Sequence, residues 1–126
     1  ARLMFKGADL GISTRTLPCN CIDGVWYAPA AALLRYIGFD VEMGKGTVKS
    51  TAYGHTATFT ENSRTVITDG GSFEMAGKVK RLNRDQLYVP AEGICRAFKM
   101  RYSYFDRNNI LSFEHESEHD PVPFQP

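Results

Sequence analysis

The chain contains one pattern twice. "WYAPAAALLRYIGFDVEM" begins at Trp26, and "LYVPAEGICRAFKMRYSY" begins at Leu87, 61 positions later and with no gap. Tyr27 matches Tyr88, Pro29 matches Pro90, Ala30 matches Ala91 and Arg35 matches Arg96. Ala30, Leu33, Leu34 and Ile37 correspond to Ala91, Ile94, Cys95 and Phe98. Each set is spaced i, i+3, i+4, i+7, which is one apolar face of a helix. Pro29 and Pro90 suit a first helical turn, where the missing N–H is not needed. Gly38 suits the position just past the end of the first helix.

A run of period two follows each helix. Phe39, Val41 and Met43 alternate with Asp40 and Glu42, and Met100, Tyr102 and Tyr104 take the matching places. Both read as half-buried strands. Turns follow at Gly44–Gly46 and Asp106–Asn109, and further strands at "TVKSTAY" and "ILSFEH". The repeated unit is therefore strand, helix, β-hairpin. Between the copies, "HTATFTENSRTVITDGGSFEMAGKVKRLN" is rich in Thr, Val and Phe and punctuated by turn residues, so it reads as short antiparallel strands. "LMFKGADLGI" reads as a hairpin turning at Lys6-Gly7. The expected fold is α+β: two β-α-β-β repeats, with short helices packed on antiparallel sheet. Residues 1–115 form one domain, with copies at about 21–53 and 82–115, and residues 116–126 form an acidic, Pro-rich tail.

These copies resemble the copper amine oxidase N-terminal-like domain of secreted bacterial proteins. That family opens its unit with N-G-R-T-hydrophobic-V-P, continues with a short helix ending in A-L-G, and closes a strand with W-D. "LYVPAEGICRAFKMRYSYFD" is the closer copy, with "YVP" its strongest part and "YFD" in place of W-D. Ala28-Pro29 replaces V-P in the first copy, Lys99 replaces the glycine in the second, and "CNC" at Cys19–Cys21 is not a usual feature. The resemblance implies a stalk-like, non-catalytic domain, located extracellularly or at the cell surface. Oxidase chemistry needs a tyrosine in an N-Y-D/E motif and copper held by histidines that include an H-x-H pair. The three histidines here are His55, His115 and His119, and neither motif occurs. The reading is no enzyme, no metal and no cofactor. Partners are a protein or a cell-wall polymer, and homodimerisation fits both the dimeric oxidases and the pairing tendency of edge strands.

Charge narrows the partners. All 15 Lys and Arg precede residue 108, and four of the 14 acids lie at 114–120, so residues 1–113 carry +5. That suits surface polyanions and is too weak to argue for nucleic acid. No run of 18 apolar residues exists to insert in a membrane. The start "ARLMFKG" has neither initiator Met nor signal peptide and is expected of a processed form or an excised domain.

Several residues invite a chemical reading. "HESEH" from His115 fits H-E-x-x-H, in which two histidines on one helix face hold zinc and the glutamate is the base. Its flanks are a strand pattern and a Pro-rich end, so a solvated acidic tail is the simpler reading. Lys78, Lys80, Arg81 and Arg84 form a basic cluster in which Lys78 and Lys80 share a strand face. They could meet phosphates or carboxylates, or simply protect an edge strand. Trp26, the sole tryptophan, could stack on a sugar, although its counterpart Leu87 argues for packing. Cys19 and Cys21 are poor partners for each other, so a disulfide, if formed, joins Cys95 to Cys19 or Cys21. The alternative is three small buried apolar residues.

Overall fold

The structure is a computed structural model and describes residues 2–5, 8–9 and 18–115. Strands β1 (Arg2–Phe5), β2 (Ala8–Asp9), β3 (Asn20–Ile22) and β4 (Val25–Pro29) lead into helix α1 (Ala30–Tyr36). Five strands follow: β5 (Asp40–Gly44), β6 (Thr47–Ala52), β7 (His55–Thr60), β8 (Thr65–Thr68) and β9 (Gly71–Glu74). Then come β10 (Lys80–Leu82), a 3-10 turn at Asn83–Asp85, β11 (Gln86–Pro90), helix α2 (Ala91–Phe98), β12 (Met100–Phe105) and β13 (Ile110–His115). The fold is α+β, as expected, with mostly antiparallel sheet.

The four-stranded sheet β10-β11-β4-β3 is the centre of the molecule. In it Tyr88 pairs with Pro29, Val89 with Ala28, and Pro90 with Tyr27. Residues 61 apart thus exchange places about the Ala28–Val89 pair, which is fully buried. Each helix starts where its strand stops. Pro29 and Pro90 stand at the N-caps rather than in the first turns, because both are still extended members of the ladder (φ −71°, ψ 103° and φ −52°, ψ 130°). Their lack of an N–H is harmless at that position as well. The helical spacing then buries Ala30, Leu33 and Leu34 from α1, and Ala91, Ile94, Cys95 and Phe98 from α2. Both helices pack across the central pair, each touching β4 and β11. Past α1, Gly38 takes φ +94°; at the matching place past α2, Lys99 takes φ +53°.

The two hairpins part company beyond this point. β5 and β6 open a five-stranded antiparallel meander, β5-β6-β7-β8-β9. Ser50 is buried there and its hydroxyl donates to the Asp40 carbonyl at 3.0 Å. β12 and β13 instead edge the sheet β12-β13-β1-β2, in which β1 runs parallel to β13. That parallel pair departs from the all-antiparallel expectation. It forms because the two strands are far apart in sequence, so no tight turn dictates direction, and the pairing closes Leu3 over Leu111 and Phe113 in the core. β1 and β2 pair antiparallel, with Phe5 opposite Ala8, while the expected turn at Lys6-Gly7 lies outside the described residues.

Candidate functional site

Side chains alternate along a strand, so when Tyr27 enters the core, Trp26 emerges on the other face of β4. There Trp26 faces Cys21 across the β3–β4 ladder. It is half-buried against the core, and its ring lies 4.4 Å from that of Tyr104, with the planes inclined at 33°. Its counterpart Leu87 is buried. Of the two sequence readings of Trp26, packing holds for its inner edge, while its partner Tyr104 is 38% exposed. The Tyr104 hydroxyl lies 3.0 Å from the Asn109 Oδ1 and donates to it. Phe105 beside it is also exposed. β12 is an edge strand, so this aromatic surface lies along an open sheet edge.

Tyr102 lies two residues before Tyr104, on the same face of β12, and packs toward Phe113. It also lines a cavity of about 320 Å³ between the end of α2 and β12, together with Glu92, Arg96, Lys99 and Arg101. Arg96 is fixed: its Nη1 lies 2.9 Å from Glu92 Oε2 and 2.9 Å from the Glu74 carbonyl, and its guanidinium stands 4.2 Å over the Phe73 ring. Glu92 in turn accepts the Ala76 N–H at 3.2 Å. Arg96 and Glu92 are matched, and Arg101 stands opposite Glu114 across the β12–β13 ladder. Burial, and after it the nearby Cys95, Glu92 and Cys21, hold the Tyr102 hydroxyl above its ordinary pKa. The sequence singled out neither this cavity nor the Trp26–Tyr104 stack. Its available signal was the tyrosine alternation that follows the second helix.

The basic segment is dispersed rather than convergent. Lys78 lies before β10, so it shares no strand with Lys80, and its carbonyl accepts the Tyr27 hydroxyl at 2.8 Å. The Lys80 ammonium stands 5.9 Å from the Tyr27 ring, on the face opposite Trp26. Arg81 contacts Glu61 through two nitrogens, at 2.8 and 3.1 Å, and Asp85 Oδ1 at 3.3 Å. That hydrogen bonding holds the Glu61 carboxyl below its usual range and the guanidinium above its own. Arg84 falls in the 3-10 turn. β10 is an edge strand, where such cations deter sheet-to-sheet pairing.

Cys19 and Cys95 are buried and Cys21 is exposed. Burial pushes the Cys19 thiol up to about 12, so it is a poor nucleophile. His115 is the last residue of β13, paired with Met100. The first histidine of H-E-x-x-H therefore sits in a strand and not on the helix that zinc binding would need. His119 and the tail lie outside the described residues. His55 Nδ1 lies 3.6 Å from Asp69 Oδ2. Among the described residues no three metal-ligating side chains gather.

A family model, Copper amine oxidase N-terminal domain, matches residues 12–112. No curated protein and no solved structure gives a match. The matched domain is an accessory, non-catalytic part of the oxidases for which it is named. With four-fifths of its length covered by that match, the chain belongs to the copper amine oxidase N-terminal domain family.

Proposed function

We propose that this chain is a non-catalytic extracellular module of a bacterial surface or secreted protein, serving as a spacer or an interaction domain. The observation that carries this reading is the family match over residues 12–112, to a domain that accompanies catalysis rather than performing it. The use of polar groups supports it. Tyr27, Ser50 and Arg81 spend their donors on backbone or carboxylate partners that hold strands together. A second reading, binding of a cell-wall polymer, is favoured by one feature: Trp26 packed against the exposed ring of Tyr104. Flat aromatic faces suit sugar rings.

Retention on purified cell wall separates these readings. A polymer-binding module is retained at low salt and released at high salt, whereas a pure spacer washes through. Metal analysis of protein purified without a histidine tag tests the non-catalytic claim. A stoichiometric metal that is lost on replacing His115 and His119 would overturn it.

A further inference from the structure

We propose that two copies of this chain join through β12, each adding to the other's sheet as an antiparallel strand, in the register that sets Ser103 opposite Ser103 of the second copy. This goes beyond the module reading and does not depend on polymer binding. Among the described residues the three sheets have six edges, formed by β12, β2, β10, β3, β5 and β9. An edge strand presents a row of unpaired N–H and C=O groups, and shortness or charge deters other chains from pairing with it. β2, β3 and β10 have only two or three residues, and β10 carries Lys80 and Arg81. β9 has four and opens at Gly71, at φ +140°. β5 carries Asp40 and Glu42, both exposed. β12 is the longest of the six edges, at six residues, and lacks proline. Its one charged residue, Arg101, already stands opposite Glu114 of its own sheet.

The register follows from which side chains share a face. Tyr102 and Tyr104 lie on the face that meets Phe113 and Trp26. Arg101, Ser103 and Phe105 lie on the other face and all three are exposed. Antiparallel pairing about Ser103 joins like face to like face, so the two four-stranded sheets run on as one. It sets Tyr104 opposite Tyr102 of the second copy and Phe105 opposite its Arg101, and symmetry makes each contact twice. The two Arg101 side chains stay at opposite ends, and Phe105, 53% exposed in the single chain, is covered. Pairing about Tyr102 instead would leave Phe105 outside the ladder.

Arg101 then stands between Glu114 on one side and the second copy's Phe105 on the other. This fold already uses an arginine that way. Arg96 holds Glu92 at 2.9 Å while its guanidinium stands 4.2 Å over the Phe73 ring. A ladder of this length falls below the roughly 1,200–2,000 Å² of a stable interface, so the dimer is reversible and concentration-dependent.

The test is sedimentation velocity of the intact chain from micromolar to millimolar concentration, with the emission of the sole tryptophan, Trp26, followed in parallel. A monomer–dimer equilibrium is expected, and Trp26, which rests on Tyr104, should report it along the same isotherm. Ser103→Lys sets like charges face to face at the twofold axis and should weaken the dimer about tenfold or more. Ser103→Asp should do the same, and mixing the two variants should restore association as a heterodimer. Phe105→Ser should weaken the dimer about tenfold. All three substitutions fall on exposed side chains, and circular dichroism checks that each variant is folded. A monomer at every concentration, a dimer that Ser103→Lys leaves unchanged, or charge variants that fail to associate on mixing would each overturn the proposal. So would a dimer broken by Glu42→Lys instead, because the contact would then lie on β5.

Discussion

Gly93 offers a sharp quantitative test, because two physical effects oppose each other there. It lies within α2 and is buried, while the matching position in α1 is Ala32. By helix propensity alone, Gly93→Ala should stabilise the protein by about 0.8–1.0 kcal/mol. The packing says otherwise. A Cβ on Gly93 would overlap the Met75 sulfur and stand 2.6 Å from Met75 Cγ. Met75 is itself buried, at 1% exposure, and has little room to retreat. Overpacking of this kind costs roughly 1–3 kcal/mol, so the net effect should be destabilising by on the order of 1 kcal/mol. Met75→Ala alone should cost about 2–5 kcal/mol by leaving a cavity. In the double variant the new methyl enters vacated space, and the helix gain returns. Urea unfolding of all four proteins gives the cycle, and the coupling should be at least about 1 kcal/mol, with the double variant more stable than the sum of the single changes. Stabilisation by Gly93→Ala with no coupling to Met75 would refute this packing.

Three further outcomes follow from named groups. Tyr27→Phe removes the hydroxyl that reaches the Lys78 carbonyl at 2.8 Å and should lower stability by about 1 kcal/mol in urea. Tyr88→Phe, whose hydroxyl takes only a 3.3 Å contact from Asn83, should lose less; a reversed order would count against the geometry. Cys19 has a folded pKa raised from 9.0 to about 12. Below pH 9 both folded and unfolded states keep the proton; above it only the unfolded thiol ionises. The Cys19 contribution to stability should therefore be complete below pH 9 and fall by roughly 1.4 kcal/mol per unit between pH 9 and 12. Cys19→Ala should make the alkaline decline shallower, leaving the part due to the raised Tyr27, Tyr88 and Tyr102 hydroxyls. In thiol counting without reductant, Cys21 should react in the native protein and all three cysteines after unfolding. A count of one after unfolding would report the Cys95 bridge to Cys19 or Cys21.

The parts of the fold legible in the sequence are those set by local spacing. Leu33, Leu34, Ile94 and Phe98 stand at helical intervals and are buried. Val41 and Met43, like Tyr102 and Tyr104, alternate and lie in hairpins. Alternation shows that a strand has two faces but does not name its neighbour. Hence the parallel match of β1 with β13, and the separate sheets joined by the two hairpins, were not legible. Nor was the role of Gly93, a weak helix residue until Met75 is seen filling its space. At the site, Trp26 drew notice by residue type, but the stack with Tyr104 joins residues 78 positions apart and follows from how two sheets meet. Arg81 looked available because its partner Glu61 is 20 residues away.

The most direct measurement is a ¹H–¹⁵N spectrum of the intact chain titrated with solubilised cell-wall fragments, which shows where a partner touches. A spacer predicts no shifts at any concentration, whereas the polymer-binding reading predicts saturable shifts of the Trp26 indole and the Tyr104 amide, reversed by salt. Saturable shifts at any surface would contradict the pure spacer, and shifts centred on Lys78–Leu82 would contradict the Trp26–Tyr104 surface as the contact.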